Sequence, residues 1–488
     1  MLSRVCHLSS IANSVPQSIE VKVAIPYTPY WITVHLVKIL PVMRLSVSLS
    51  MTSGDTCLSV VSAAYASPVH GNASCKHGEN GSLPLPLIEK FSERFSAPNK
   101  SGLPVGFLKS CTAPALHFCR HSSKLQRVNP RKKSHSTKHG AYAAAGVNID
   151  LGDSLKSRLP EMVRGTRRPE VLGAIGGFGG LFALDTKKYR RPVLVSSVDG
   201  VGTKLKVAVA MNKHDTIGQC LVNHCVNDIA VLGAKPLFFL DYIGMGKLAP
   251  HVFDGIITGL ATACAKTGCA LIGGETAQMP GMYAEGEYDL VGCIVGVVEK
   301  DGAIDGSRIK PGDAVVGLAS TGLHTNGYSL ARRILFAQMR ARLDDYSSEL
   351  GCTFGEELLK VHRNYWPIIR KIREPRAAIR NSLHGIAHIT SGGFRDNIPR
   401  VLPKNCRAVI HRGTWNVPPI FRLLQAGGGV GDEEMHCVFN MGIGMTLIVD
   451  ARSVAAIQKT AAKCGVKSYL IGEIRKGKSD VQIENGSL

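Results

Sequence analysis

Nothing in the cysteine spacing of this chain indicates a metal cage or a disulfide framework: 14 cysteines are scattered over 488 residues, with no CxxC pair and no zinc-type Cys/His spacing. A reducing compartment is the simpler setting, and Cys220, Cys225 and Cys269 read as small buried hydrophobes. Long apolar runs are missing too. The most apolar stretch, 25–49, is broken by Pro26, Pro29, Lys38, Pro41 and Arg44, which disfavours a membrane span of about 20 continuous apolar residues. Neither a Walker A sequence nor a correctly spaced dinucleotide fingerprint occurs. Acids are few, 37 against 58 Lys and Arg, for a net charge of +21. Residues 1–140 hold 16 basic and 5 acidic residues, so 11 of the 21 excess charges lie there. With no RNA- or DNA-binding signature beside them, these charges do not make nucleic acid the expected partner.

That first segment, rich in Ser, Pro and basic residues, has the composition of an organelle transit peptide followed by a variable extension. It is expected to be largely disordered, with a basic run at Arg131, Lys132 and Lys133 before the enzyme-like start. A chloroplast is favoured over a mitochondrion. A wrong start codon or a nuclear-type basic tract are the alternatives, and without a targeting signal the protein is expected in the cytoplasm.

From Gly146 onward, strand-like and helix-like runs alternate, which predicts a layered α/β or α+β design. Strands are predicted at 193–198, 237–242, 270–272 and 288–299, with helices at 216–232 and 252–266. The turn-rich 301–313 marks a boundary, giving units 141–312 and 313–488. The second unit is predicted to run from a strand at 314–319 into a helix capped by Asn326, with later strands near 408–411, 444–449 and 469–474 and a helix at 454–463. AGGGVG at 426–431 reads as a loop after a helix.

Three acidic, glycine-punctuated segments stand out: SSVDGVGTKLK from Ser196, VNHCVNDIAVLGAKPLFFLDY from Val222, and GGETAQMPGMY from Gly273. An acid and glycines at a strand end bring a carboxylate, backbone N–H groups and a lysine to one point, which suits a metal-nucleotide; a plain βα connection is the alternative. Together with GFGGLFAL, HDTIG, GLHTNGYSLARR, HGIAHITSGGFRDNIPRVLP and FNMGIGM, these segments resemble the AIR synthetase (phosphoribosylformylglycinamidine cyclo-ligase) family over roughly 142–488.

The resemblance implies a two-domain architecture, with an N-terminal domain whose strands build a barrel-like sheet with a second subunit and a C-terminal α/β domain beside it. It implies a homodimer, ATP and Mg²⁺, with K⁺ left open. The implied reaction is ATP-dependent cyclisation of formylglycinamidine ribonucleotide (FGAM) to aminoimidazole ribonucleotide (AIR).

On that reading Asp199, Asp228 and Glu275 are the candidate metal ligands, with Asp241 a weaker fourth. Gly176, Gly177, Gly179 and Gly180 form a flap for phosphate, and Gly200, Gly202, Thr203 and Asn227 join the nucleotide site. Lys204 is either a phosphate contact or an exposed lysine after a turn. His224, four residues before Asp228, either pairs with it or is a core histidine. Asp199, Asp228 and His324 are the candidates for catalysis, and His324 and Asn326 for substrate contact, with a plain helix cap the alternative for Asn326. Thr390, Ser391, Gly392 and Gly393 offer a seat for the ribose phosphate.

The chain departs from the family pattern in places. Ala143, Ala144 and Asn148 replace a lysine and two acids, Pro160 stands near another lysine, and Ser391 replaces a glycine. At 358–366 the run LLKVHRNYW lacks the Pro-Thr pair that many members carry before the arginine. The competing readings are an ATP-using relative with another substrate and a catalytically silent dimeric scaffold.

Overall fold

The computed structural model describes residues 140–485 and four strands nearer the N-terminus, in two compact units, Met1–Leu125 and Gln126–Leu488. In the first unit, β1 (Ser18–Ala24), β2 (Trp31–Ile39), β3 (Val42–Ser50) and β4 (Ser59–Ala64) pair in sequence as an antiparallel meander. These strands fall within the extension expected to be largely disordered. The signal that favours them is visible in β3, where Leu45, Val47 and Leu49 alternate with Ser46, Ser48 and Ser50, a period of two. The basic run at Arg131–Lys133 lies outside the described residues. Among the described residues, no helix is long and apolar enough to cross a membrane.

The second unit carries two mixed sheets. The first comprises β5 (Pro192–Gly200), β6 (Lys235–Met245), β7 (Ala270–Gln278) and β8 (Tyr288–Glu299), in the spatial order β5-β8-β6-β7. Pairing is antiparallel except between β6 and β7. That parallel pair needs a crossover, which helix α2 (Pro250–Thr267) supplies before stopping at Gly268 in the left-handed conformation, φ 73°. Helix α1 (Asp215–Ala230) is buried along nearly its whole length between this sheet and its neighbours. Gly218 and Gly259 let α1 and α2 approach closely: a Cβ on Gly218 would lie 2.4 Å from the Ile256 oxygen, and one on Gly259 2.1 Å from the Asp215 oxygen.

The second sheet contains β9 (Ala314–Ala319), β10 (Leu383–His388), β11 (Cys406–Arg412), β12 (Ile443–Val449), β13 (Ser468–Lys476) and β14 (Asp480–Asn485). Its order is β10-β12-β9-β13-β11-β14, and only β11 and β14 are parallel neighbours. The four-stranded sheet thus lies within residues 192–299 and the six-stranded one within 314–485, beside two-stranded pairs at 171–172 with 181–182 and at 346–347 with 352–353.

Three local expectations change. The strand predicted at 270–272 runs on to Gln278. Asn326 is not a cap: Gly327 (φ 77°) precedes the short helix α3 (Tyr328–Arg332), which continues as a π-helical stretch, Arg333–Gln338. Gly427 and Gly428 belong to helix α4 (Pro419–Gly428), which ends at Gly429, φ 58°.

Candidate active site

Asp199 is the next-to-last residue of β5, and its Oδ1 accepts the Gly200 N–H at 2.9 Å. Helical spacing on α1 turns His224 and Asp228 to one face. His224 Nε2 lies 2.8 Å from Asp199 Oδ2 and 3.9 Å from Asp228 Oδ2. His388, the last residue of β10, brings Nδ1 to 2.8 Å from Asp228 Oδ1, and Ser197 Oγ donates to Asp228 Oδ2 at 3.1 Å. One strand, one helix and the second sheet thus meet at a single centre.

Behind it lies a buried group of imidazoles. His224 Nδ1 meets Thr325 Oγ1 at 2.7 Å, Thr325 Oγ1 meets His362 Nδ1 at 3.3 Å, and His362 Nε2 meets His388 Nε2 at 3.1 Å. His324 stacks on His362, centroids 4.0 Å apart and planes 19° apart. Burial is the largest influence throughout. It holds His324 and His362 well below the ordinary imidazole range, with neighbouring imidazoles adding to the effect. At His224 burial is outweighed by the hydrogen bond and charge of Asp199 and by Asp228, so its pKa is raised. At His388 burial prevails over Asp228 and the pKa is lowered. Asp228, despite its burial, is held low by His388, His224 and Ser197.

A second group of acids faces a 530 Å³ cavity lined by Gly176, Gly177, Phe178, Asp241, Glu275 and Thr276, among others. Register explains the arrangement: Asp199 pairs with Gly292, Gly292 with Asp241, and Asp241 with Gly274, one row across the sheet. Asp199 and the β7 residues are therefore three strand spacings apart, about 14 Å. Burial pushes the Asp241 carboxyl up to about 7 against one backbone hydrogen bond that lowers it, and among the described residues no Lys, Arg or His forms an ion pair with it.

Residues 186–298 match the family described as AIR synthase related protein, N-terminal domain, and residues 310–484 match its C-terminal domain. The phosphoribosylformylglycinamidine cyclo-ligase of Brevibacillus brevis is 49% identical over 346 residues, 71% of this chain and 98% of that protein. The enzyme of that name from Geobacillus kaustophilus is 52% identical over 337 residues, 69% of this chain and 96% of that protein. This chain belongs to the AIR synthase family. The fold is also similar to the crystal structure of thiamine-monophosphate kinase from Stenotrophomonas maltophilia, with a TM-score of 0.50 and 17% identity over 69% of this chain and 97% of that one.

Several residues given nucleotide or substrate roles from the AIR synthase resemblance sit elsewhere. Lys204 is fully buried: its Nζ donates to the His324 and Lys360 carbonyl oxygens at 3.0 and 2.6 Å and to Cys220 Sγ at 3.2 Å, so it does not face a phosphate. Asn227 does not orient Asp228. Its amide donates to the Arg363 carbonyl at 2.8 Å and accepts the Tyr365 N–H at 2.9 Å, fastening the 362–365 segment. His324 is only 2% exposed, with no partner for Nδ1 among the described residues and the backbone at φ 63°; it packs in the imidazole stack rather than on an open surface. Thr203 Oγ1 meets Ser329 Oγ at 3.0 Å, a tie between the two halves, and Gly202 makes the left-handed turn before it, φ 65°.

Glu275 does not join Asp199 and Asp228; it shares the cavity of Asp241 and the Gly176–Gly177 loop. Gly179 and Gly180 continue that loop, Gly180 packing against Ile272. Thr390, Ser391, Gly392 and Gly393 form the turn that follows His388 and Ile389, with the Asn397 amide donating to the Ser391 and Gly393 carbonyls at 3.1 and 2.8 Å. Asn326 is half-buried. Asn148, a departure from the family pattern, caps the next helix by accepting the Leu151 N–H at 3.0 Å.

His388, His362 and Thr325 are the site residues that sequence reasoning missed. His388 sits inside a family-like segment, so its neighbourhood was a signal; His362 was marked only by a departure from the family pattern. Nothing local announced that the three would meet.

Proposed function

We propose that this chain is an ATP-dependent cyclo-ligase that closes FGAM to AIR, releasing ADP and phosphate. The observation that carries the reading is similarity at 49% and 52% identity across 98% and 96% of two cyclo-ligases. The cavity of Asp241, Glu275, Thr276 and the Gly176–Gly177 loop supports ATP there: the loop offers backbone N–H groups to phosphate oxygens, and the oxygen donors suit Mg²⁺. The Asp241 carboxyl, which burial disfavours as an anion and which shares the cavity with Glu275, is the feature that fits a cation. Asp241 and Glu275 would hold Mg²⁺, which when bound neutralises charge on the transferred phosphoryl group.

Phosphorylation of the formamide oxygen turns a poor leaving oxygen into a good one. The amidine-side nitrogen then attacks that carbon, and phosphate leaves. The chain's own part is positioning and exclusion of water, with the Thr390–Gly393 turn as the seat of the ribose phosphate. Incubating the full chain with MgATP, with and without FGAM, tests this. AIR formed one-for-one with ADP supports the cyclo-ligase; a folded protein that binds ATP and makes no AIR sinks it and favours a silent scaffold.

We also propose a homodimer built on the first sheet. Its edge strand β5 exposes Val193, Leu194 and Val198 at 39, 62 and 63%, an apolar surface suited to a second copy. Light scattering reads this directly: twice the 52.3 kDa chain mass is expected, less any leader removed, and Leu194→Glu with Val198→Lys should yield monomer. For residues 1–140 we propose organelle targeting, chloroplast ahead of mitochondrion, on their basic, acid-poor composition. A fluorescent fusion that stays in the cytoplasm would refute it.

A further inference from the structure

The two carboxylates at the ends of the imidazole group are joined by an unbroken chain of contacts that is one hydrogen short. Its five links are Asp199–His224, His224–Thr325, Thr325–His362, His362–His388 and His388–Asp228. Ionised carboxylates donate nothing. Three neutral imidazoles and one hydroxyl carry one hydrogen each, four for five links. Somewhere along a neutral chain, two lone pairs must face each other, and an added cation, a proton or a metal ion, relieves the conflict.

We propose that this cation is a divalent transition-metal ion of the zinc class, held by His224 Nε2, His388 Nδ1 and Asp228, with Asp199 beside them. Ligand atoms of His224, Asp228 and His388 already lie within 4.8 Å of one another. The donor set is wrong for Mg²⁺ as a resident ion, because that ion favours an all-oxygen shell and here each carboxylate turns an oxygen to an imidazole. Two imidazoles with carboxylates suit Zn²⁺ and its neighbours.

The surrounding contacts fit the loaded state. With the metal on His224 Nε2 and His388 Nδ1, the two end links become coordination and three remain. His224 Nδ1 and His362 Nδ1 then donate to Thr325 Oγ1, and His388 Nε2 donates to His362 Nε2, so every link is filled. Both metal-bound imidazoles thus have their remote nitrogen fixed by a partner, as outer-shell contacts do at zinc sites. The Asp199 and Asp228 side chains are 35% and 28% exposed while the imidazoles are buried, which leaves the carboxylate side open for entry.

The inference is independent of the cyclo-ligase reading, because metal retention is read without substrate. The full chain is stripped with a chelator, loaded with Zn²⁺ in the presence of millimolar Mg²⁺, dialysed and assayed for metal. One retained equivalent is expected, lost in His224→Gln and His388→Gln and weakened about 10–100-fold in His362→Thr. Since a substituted chain can fail to fold, the unaltered chain is also loaded with Co²⁺, which should show visible d–d bands without a near-ultraviolet thiolate charge-transfer band. No retained Zn²⁺ would mean that an added proton meets the deficit and would overturn the proposal. So would retention unchanged in His388→Gln, or a thiolate band from the chain's cysteines.

Discussion

Lys204 is held by His324: the lysine Nζ donates to the histidine carbonyl at 3.0 Å, linking the turn after β5 in the first sheet to the loop after β9 in the second. Because the Lys360 carbonyl is a second acceptor, Lys204→Met leaves two buried oxygens without their donor. A loss of about 2–3 kcal/mol is expected in urea denaturation, with ATP affinity unchanged at temperatures where the variant is folded. A large loss of ATP affinity with stability intact would restore the phosphate role.

Asp241 sits where its charge is costly, and substitution should separate stability from function. Its carboxyl titrates at about 7 in the fold against an ordinary 3.8, so folding takes up a proton between those values. Stability from this group is therefore present at low pH and lost as pH rises through about 7. In metal-free protein at pH 8, Asp241→Asn should raise the melting temperature, while kcat/KM for ATP falls about 100-fold. Melting curves at pH 5 and 8 check the sign, since the gain should be clearly smaller at pH 5 and vanish only below the unfolded value of 3.8.

His214 carries the opposite dependence. Burial first, then the charge of His251, lowers its pKa, and its Nδ1 is 2.9 Å from the Tyr288 hydroxyl. Its share of stability is present above the unfolded value of about 6.5 and is lost as pH falls through the folded one. Chemical denaturation from pH 7 to 5 should show a slope shallower in His214→Gln by at most about 1.4 kcal/mol per pH unit.

At Gly259 the constraint is steric. An added methyl would meet backbone, the Asp215 oxygen at 2.1 Å, and neither helix can yield without moving the other. Gly259→Ala should cost about 1–3 kcal/mol despite alanine's better helix propensity. Gly268→Ala, at φ 73° with open space around it, should cost only backbone strain of about 1 kcal/mol.

Much of the fold was legible because its signals are local. The strand Tyr288–Glu299 and the helix Val454–Lys463 coincide with the runs read from periodicity. The end of β7 was missed because GGETAQ carries neither alternation nor β-branched density, and pairing with β6 extends it. The carboxylates Asp199 and Asp228 were read as site residues and do meet, through His224. Lys204 was misplaced because sequence shows a lysine after a turn but not the two carbonyls, 120 and 156 residues away, that enclose it.

By itself the sequence determined the alternation of elements, the acidic glycine turns and the family, since each is carried by neighbouring residues whose spacing survives without a fold. Only the tertiary structure decided which acids share a site. Asp228 and His388 are 160 residues apart, and His224 and Thr325 101 apart, so no local pattern encodes their contact. They meet because α1 packs beneath a strand end of one sheet while the other sheet's β10 stops above it, and that convergence is set by packing, which spacing along the chain does not record.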